Sequence, residues 1–427
     1  MKEIELIDSG VQWIREVPKS WTRVRCKDVL RETKIQVGED SSKYTLLSLT
    51  INGIIVRDLS ESKGKFPKEF NTYKIVKPNE LVFCLFDVDE TPRTVGLVTK
   101  EGILTGAYSV FSVRNVDVNF LYRYFISLDD RKALKPLYRG LRKVIPLPAF
   151  LSMPIYLPSL AEQRAIADWL DAKCADIDAA IELQQRMIDR LKAYKTAVIH
   201  QAVTKGLDKN ANLKDSGVQW IGEVPKHWEV CKLSYCFNQI GSGTTPKYSE
   251  EVRGEEGIAW IQSGDLNDGV LKSTKHLLPK EVVSQYSVLK IYKQPFIAVA
   301  MYGASIGKTS LSLIDACTNQ ACCVLADSKG DLQYSFYVML SLKSLLVYLG
   351  IGGGQPNISQ AIIKQQCIPL PPLTEQRAIA DWLDAKCADI DATIALKEQK
   401  QEKLKAYKKT IIFEYVTGKK QVANINK

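Results

Sequence analysis

The sequence predicts an α+β protein in which two α+β domains are separated by two long helices, packed as an antiparallel coiled coil with a pseudo-twofold internal repeat. Two repeated stretches carry this prediction. Residues 162–179, EQRAIADWLDAKCADIDA, recur without a change at residues 375–392. Residues 8–21, DSGVQWIREVPKSW, return as DSGVQWIGEVPKHW at residues 215–228. The segments between the repeats have diverged, so one frame holds two unlike domains.

Composition limits the class of protein. A chain of 427 residues that is 45% hydrophobic and 25% charged is typical of a soluble protein of two or more domains. The net charge of +10 permits a polyanionic partner without establishing one. The N-terminus lacks the apolar core of a signal peptide, and no apolar run approaches the roughly 20 residues of a membrane span. Ten cysteines without disulfide spacing indicate a cytoplasmic protein, and with three histidines they predict no metal site.

The first domain is expected to begin with a leader segment (residues 1–21) and to cover residues 1–158. Short β-branched and aromatic runs separated by Gly and Pro predict strands, and two stretches predict short helices. The predicted strands are Tyr44–Ile51, Glu80–Phe86, Thr94–Thr99 and Tyr108–Val113, and the predicted helices are Phe120–Ser127 and Arg131–Tyr138.

The first long helix is expected within residues 159–206, with Ser159 as its N-cap and Gly206 as its stop. Residues at alternating spacings of four and three form a coiled-coil seam with polar interruptions. The seam is Leu170, Cys174, Ile177, Ile181, Gln184, Ile188, Leu191, Lys195 and Val198. A helix ending near Val203 would be roughly 60 Å long.

The second half repeats this plan. A second leader segment (residues 215–228) and domain are expected at residues 207–372, the second long helix at 373–418, and a polar tail at 419–427. The second seam is Leu383, Cys387, Ile390, Ile394, Lys397, Gln401, Leu404, Lys408 and Ile411. Pro372 stands where Ser159 stood, so Thr374 is expected to cap this helix.

Each seam would stay half exposed unless a second helix covered it, so the two helices are expected to pair. Dimerisation of two chains through these helices is the alternative. The exposed positions of the repeat also match, which favours one kind of partner bound twice, although recent duplication also explains the identity. The candidate docking residues are Asp168, Trp169 and Asp171 with Asp381, Trp382 and Asp384; the tryptophans could instead belong to the core.

The order domain, long helix, domain, long helix is accompanied by a Pro-x-Leu-x-Glu-Gln-Arg motif at residues 158–164 and 371–377. With this order and motif the chain resembles the specificity (S) subunit of a type I restriction–modification enzyme. Four stretches of the second domain resemble target-recognition domains: residues 241–246 (GSGTTP), 260–265 (WIQSGD), 302–308 (YGASIGK) and 352–359 (GGGQPNIS). In the first domain, Gly140 and Ile145 align with Gly353 and Ile358, but a YGASIGK-like stretch is missing.

The resemblance implies that each domain reads one half of a split double-stranded DNA target, with the helices as a spacer. It also implies two methyltransferase (M) subunits docked on the repeated frame, joined by restriction (R) subunits. S-adenosylmethionine, ATP and Mg would then be cofactors of those partners and none would belong to this chain.

Residues 303–309 are one position short of a phosphate-binding loop, and the segment after them predicts a strand where such loops need a helix. We therefore expect a tight turn that presents Lys308 to a DNA phosphate, or a purely structural turn. Further candidates are polar or cationic side chains in loops, which are also common as solvated charges or turn formers. The DNA-contact candidates are Lys308, Gly303, Tyr302, Thr244, Thr245, Lys247, Gln355, Asn357, Arg139, Arg142, Lys143, Arg57, Lys63 and Arg93.

Catalytic motifs are not found. There is no Asn/Asp-Pro-Pro-Tyr/Phe motif for amino methylation, and Asp58, Glu61 and Lys63 are too closely spaced for a nuclease site on separate strands. We expect a non-catalytic DNA-binding scaffold. The alternatives are a duplicated coiled-coil adaptor that binds only proteins, and a nuclease.

Overall fold

The computed structural model describes residues 5–57, 70–139, 143–247, 256–350 and 356–422. The chain divides into two compact units. Unit 1 comprises Met1–Gln185 and Gln399–Lys427, and unit 2 comprises Arg186–Glu398. Both units mix helices with strands, which confirms the predicted α+β class. The boundaries of the units fall inside the long helices, so each unit holds one portion of both helices.

Unit 1 begins with a leader hairpin and continues into a small mixed domain before the first long helix. Its strands are β1 Leu6–Asp8, β2 Glu16–Pro18, β3 Thr22–Arg25, β4 Leu30–Thr33, β5 Leu47–Thr50, β6 Gly53–Val56, β7 Lys74–Val76, β8 Glu80–Phe83, β9 Val95–Leu97, β10 Gly102–Leu104, β11 Ser109–Val113 and β12 Pro154–Leu157. Its helices are α1 Cys26–Val29, α2 Val118–Asp130, α3 Leu147–Ser152 and the start of α4, which spans Leu160–Lys205.

Unit 2 follows the same plan after the end of α4. Its strands are β13 Leu213–Asp215, β14 Glu223–Pro225, β15 Glu229–Lys232, β16 Phe237–Gly241, β17 Ile258–Ile261, β18 Val270–Leu271, β19 Leu277–Leu278, β20 Phe296–Ala300, β21 Thr309–Ser312, β22 Ala316–Thr318, β23 Cys322–Ser328 and β24 Cys367–Leu370. Its helices are α5 Leu233–Cys236, α6 Lys280–Gln285, α7 Leu332–Tyr348, α8 Gln360–Gln365 and the start of α9, which spans Leu373–Val416.

The central sheets of the two units share one topology. Unit 1 has the order β4-β11-β8-β9, and unit 2 has the order β16-β23-β20-β21-β18. In each unit a strand after the leader pairs antiparallel with the strand that precedes the long helix, β3 with β12 and β15 with β24. The diverged segments therefore keep one framework, and their differences lie in the loops and added strands.

The long helices pack along the predicted seams. In unit 1, Lys408 of α9 pairs with Asp178 of α4 at 2.6 Å, and in unit 2 Lys195 of α4 pairs with Asp391 of α9 at 2.6 Å. Because higher numbers on one helix meet lower numbers on the other, the pair runs antiparallel in each unit. All predicted seam residues are buried or half-buried. The antiparallel coiled coil is confirmed, and two of the three seam lysines, Lys195 and Lys408, pair with acids of the facing helix.

The observed ends of the long helices agree only in part with those predicted from the sequence. The Ser159 hydroxyl accepts a hydrogen bond from the Glu162 amide at 3.3 Å, as an N-cap does. The predicted cap at Thr374 is wrong, because α9 begins one residue earlier and the Pro372 carbonyl accepts from the Glu375 amide at 2.9 Å. Gly206 ends α4 with φ +73°, in the left-handed region that suits glycine.

The predicted helix Arg131–Tyr138 is also wrong. Turns follow α2, and only Lys135–Leu137 forms a short 3₁₀ helix. Lys132 has φ +51°, which no α-helix contains, and Pro136 lacks the amide that a continuing helix needs. Within the described residues, no helix is long and apolar enough to cross a membrane.

Candidate nucleic-acid interface

Several strand ends of unit 2 meet at one edge of its sheets. The register pairs Gly241 with Val324, Ala300 with Cys322 and Val299 with Thr309. The end of β16, the end of β20 and the beginnings of β21 and β23 therefore lie side by side. The parallel pair β17 and β22 ends at the same place, because β22 connects directly to β23. The loops at this edge, 242–247, 262–269, 301–308, 319–321 and 356–358, are called the unit 2 loop edge below.

The YGASIGK stretch meets residues 356–358 of the GGGQPNIS stretch at the unit 2 loop edge. Tyr302 forms a β-bridge with Asn357, and the Gly303 amide donates to the Pro356 carbonyl at 2.9 Å. Tyr302 and Asn357 are both exposed. Gln355 lies outside the described residues. Two motifs that are more than fifty positions apart thus form one surface.

Lys308 completes this turn. The Ala300 amide donates to the Lys308 carbonyl at 2.8 Å, and the Gly307 amide donates to the Ala300 carbonyl at 2.9 Å. Gly307 has φ +76°, and a Cβ there would lie 3.1 Å from Lys343. The Lys308 side chain is half-buried and makes no ion pair with the described residues. Strand β21 follows the turn, so the geometry is not that of a phosphate-binding loop before a helix.

The GSGTTP stretch lies next to the β22–β23 loop. The Gly243 amide donates to Thr318 Oγ1 at 3.1 Å, and Thr245 Oγ1 donates to Gln320 Oε1 at 2.6 Å. A Cβ on Gly243 would lie 1.8 Å from the Thr318 carbonyl, so only glycine fits. Thr244 is half-buried, and Lys247 is exposed at the end of this loop. The exposed amide of Gln320 is a candidate that sequence reasoning missed, because Asn-Gln between apolar strands is typical of an ordinary turn.

Unit 1 has an equivalent edge. The Ile145 amide donates to the Leu85 carbonyl at 2.8 Å, as the Ile358 amide does to the Met301 carbonyl at 2.9 Å. The loops 34–37, 84–94, 105–108 and 143–145 lie beside the ends of β4 and β8 and the beginnings of β9 and β11. They are called the unit 1 loop edge. The correspondence of Ile145 with Ile358 thus has a structural counterpart.

The chemistry of the unit 1 loop edge differs from that of unit 2. Phe86 bridges Val144 where Tyr302 bridges Asn357. The Cys84 amide donates to the Thr94 carbonyl at 2.8 Å, which places Thr94 where unit 2 has Lys308. Unit 1 therefore has an apolar pair where unit 2 has polar groups, and a buried threonine, bonded to Asp129, where unit 2 has a cation.

Some predicted cations of unit 1 already have acidic partners. Arg93 Nη1 lies 3.0 Å from Asp129 and 3.1 Å from Asp130. Lys143 pairs with Glu90 and lies 3.7 Å from Asp89. Such paired charges are weaker candidates for a phosphate than unpaired ones.

The remaining predicted cations of unit 1 fall into two groups. Arg139 is exposed, and its backbone amide donates to the Val144 carbonyl at 3.1 Å. The Arg57 amide donates to the Leu46 carbonyl at 2.9 Å, which holds this residue just after β6. Lys63 and Arg142 lie outside the described residues.

Some residues of the repeated stretch form hydrogen bonds within their own unit. The indole of Trp228 donates to Glu375 at 2.9 Å, and that of Trp21 to Glu162 at 3.4 Å. Burial raises the pKa of Glu162, while this hydrogen bond opposes the shift. These pairs bind each leader segment to the start of its long helix.

The glutamine of the motif contacts the N-cap residue of an earlier helix in its unit, Asp331 of α7 or Asp117 of α2. Gln376 Oε1 accepts from the Asp331 amide at 2.8 Å, and Gln376 Nε2 donates to the Pro371 carbonyl at 2.8 Å. Gln163 makes the equivalent bonds at 2.8 and 2.9 Å. Identity at these positions therefore follows from the fold.

Two of the predicted docking carboxylates also have internal partners. Asp171 accepts from Arg123 at 2.6 Å, and Asp384 accepts from Tyr337 at 2.5 Å and from Gln333 at 2.7 Å. Burial, followed by this carboxylate, raises the pKa of Tyr337. These contacts attach α2 and α7 to the long helices, so Asp171 and Asp384 are weaker docking candidates.

Three of the other four docking candidates, Asp168, Asp381 and Trp382, are exposed. Asp168 and Asp381 are exposed and make no ion pair with the described residues. Trp169 stacks on Tyr415 with ring centroids 4.1 Å apart, whereas Trp382 is 42% exposed. Arg164 and Arg377, the last residues of the repeated motif, are likewise exposed without an ion pair among the described residues. Sequence reasoning missed both arginines as individual candidates.

Comparison with known proteins finds one family of similar proteins. The family model for the type I restriction modification DNA specificity domain matches residues 225–406. The specificity subunit of the type I restriction enzyme MjaVIII from Methanocaldococcus jannaschii is 29% identical over 428 residues, 96% of this chain and 95% of that protein. The chain is thus similar to type I restriction–modification specificity subunits along nearly its whole length. The EcoKI specificity subunit of Escherichia coli is a more distant relative, 27% identical over 46% of this chain and 44% of that protein.

Solved structures extend the specificity-subunit likeness to the fold. A chain from a study of complex assembly and conformational transition of the type I R-M system has a TM-score of 0.71 at 16% identity. That match covers 94% of this chain and 99% of the other. The HsdS subunit from Thermoanaerobacter tengcongensis has a TM-score of 0.51 at 16% identity, over 94% of this chain and 98% of that one.

Proposed function

We propose that this chain is the sequence-specific DNA-binding subunit of a type I restriction–modification enzyme. It reads a bipartite, asymmetric target, one half at each loop edge. The convergence of the predicted motif loops at the unit 2 loop edge carries this proposal. Tyr302, Lys308, Gln320 and Asn357 offer an aromatic ring, a cation and two amides, which are groups that contact phosphates and base edges.

The two loop edges support the asymmetry of the target. They sit on one shared sheet topology, yet Phe86 and Val144 replace Tyr302 and Asn357. Because the framework is common and the presented groups differ, each edge should prefer a different half-site. The role is binding alone, and the methylation and cleavage reactions take place on partner subunits.

Selection from random duplex DNA by the full chain tests this function. We expect two blocks of fixed bases separated by a spacer of constant length. Asn357→Ala should relax one block and leave the other unchanged, and Arg139→Ala should alter only the other block or its affinity. If either variant changed both blocks, or if wild type selected a single block, the proposal of two separate half-site readers would be wrong.

The exposed remainder of the repeat supports docking of two methyltransferase subunits, one on each copy. Arg164 with Asp168, and Arg377 with Asp381, are identical exposed pairs without ion partners among the described residues. Charged groups left unpaired on identical surfaces favour identical charged partners. Restriction subunits complete the assembly, and S-adenosylmethionine, ATP and Mg belong to those partners.

Native mass spectrometry tests the docking. Reversing both charges of the second copy, Arg377→Glu with Asp381→Arg, should leave one methyltransferase subunit per chain. The matched change in the first copy should do the same, and changing both copies should abolish binding. Retention of two subunits by the singly changed chains would exclude this surface.

The alternative is an adaptor that binds only proteins through its long helices. The exposed Trp382 and the free charged pairs suit such a role equally well. Salt dependence separates the two functions, because a DNA reader that neutralises Z phosphates loses log affinity against log salt with a slope of about −0.9Z. An adaptor would not bind a selected duplex at all.

A further inference from the structure

Two thiols of unit 2 are in direct contact. Cys231 lies in β15 and Cys236 is the last residue of α5. The short helix turns the chain back, so that the Sγ atoms lie 3.3 Å apart, within hydrogen-bonding distance for sulfur. Cys231 is half-buried and Cys236 is only 6% exposed. One thiol thus reaches solvent while its neighbour lies behind it.

The pair lines a cavity of about 500 Å³. Glu229, Lys329 and Gln376 are among the other residues of its wall. The cavity is far larger than a small oxidant, so such a molecule can approach Cys231 from this side.

The two thiols are chemically unequal. The hydrogen bond from Cys236 lowers the pKa of the Cys231 thiol. The same bond, followed by burial, raises the pKa of Cys236. A thiolate is the nucleophilic form of cysteine, so Cys231 is the more reactive of the two. Cys236 keeps its proton and stands where a second, resolving thiol is needed.

Unit 1 has no thiols at the positions that correspond to Cys231 and Cys236. The corresponding residues are Val24 in β3 and Val29 at the end of α1. Cys231 opposes Ile368 in the β15–β24 ladder, as Val24 opposes Ile155 in the β3–β12 ladder. The framework accepts valine at both places, so packing alone does not call for a thiol pair.

We propose that Cys231 and Cys236 are a site of reversible oxidation by hydroperoxides. The Cys231 thiolate attacks the terminal peroxide oxygen, so that an S–O bond forms, the O–O bond breaks and the leaving oxygen takes up a proton. Cys236 Sγ then attacks Cys231 Sγ; the S–S bond forms, the S–O bond breaks, and the thiol proton leaves with the hydroxide as water. Two electrons pass from the two thiols to one peroxide.

Peptide mapping of the full chain after graded hydrogen peroxide tests the site. Trypsin cuts at Lys232, between the two cysteines, so an oxidised pair appears as two disulfide-linked peptides that dithiothreitol separates. The half-buried Cys367 is an internal control of similar exposure. We expect Cys231 to react severalfold faster than Cys367, because the hydrogen bond from Cys236 favours the thiolate form of Cys231.

Valine variants, which restore the residues of the first copy, separate the two roles. Cys236→Val should stop the cross-link and leave a sulfenic acid at Cys231 that dimedone traps, whereas Cys231→Val should give neither product. Thermal unfolding checks that both variants fold. The peptide map of the wild-type chain tests the proposal independently of the variants. Equal rates at Cys231 and Cys367, or a wild-type chain without the linked peptides, would overturn the proposal.

Discussion

Replacing Lys308 by alanine should weaken DNA binding without changing base preference. The turn of residues 301–308 holds this lysine at the unit 2 loop edge, half-buried and without an ion pair among the described residues. A cation in that situation suits a backbone phosphate, which carries no sequence information. We therefore expect a similar loss of affinity on specific and nonspecific duplexes.

The magnitude follows from counterion release. Loss of one phosphate contact should reduce the slope of log affinity against log salt by about 0.9. Between about 50 and 200 mM salt, a fourfold change, the affinity ratio of wild type to variant should therefore shrink by roughly 3.5-fold. Fluorescence anisotropy of a labelled duplex across a salt series measures both quantities.

Lys293→Ala is the matched control. Lys293 precedes β20 at the edge opposite the unit 2 loop edge, and its ammonium group lies 2.7 Å from Asp315. The control should keep the wild-type slope. The reasoning fails if Lys308→Ala also keeps that slope, or if it alters base preference while the slope stays constant.

Three further predictions concern the frame. Gln376→Ala removes the partners of the buried Pro371 carbonyl and the half-buried Asp331 amide and should cost about 2–4 kcal/mol, measured by denaturant unfolding. Asp384→Ala removes the bonds to α7 and should cost about 1 kcal/mol, whereas Asp381→Ala should change the free energy of unfolding by less than about 0.5 kcal/mol. Burial, and then Lys205, lower the pKa of His200. Below about pH 6.5 the unfolded chain therefore binds a proton at His200 more readily than the folded chain does, so the free energy of unfolding should fall as pH drops. His200→Phe, which introduces the residue at the corresponding position of α9, should reduce that fall in pH-dependent unfolding.

The candidate interface shows where sequence reasoning reached its limit. Tyr302, Lys308 and Asn357 were predicted one by one from short motifs, but their meeting depends on a β-bridge between distant positions. Arg93 looked like a free cation, and only the folded chain brings Asp129 and Asp130 to it. Gln320 carried no signal, because its position beside Thr245 comes from the pairing of separate strands. Charges and amides acquire their partners through tertiary contacts that local sequence does not encode.

For the repeated frame too, the sequence determined some features and the tertiary structure decided others. The sequence alone determined the duplication, the two long helices and their seams, because periodicity along one helix is a local property that needs no knowledge of distant contacts. Only the tertiary structure decided which identical residues serve the fold. Glu375, Gln376 and Asp384 bind groups of their own unit, while Arg377 and Asp381 stay exposed. All five lie on one helix, and what separates them is which face the rest of the unit covers.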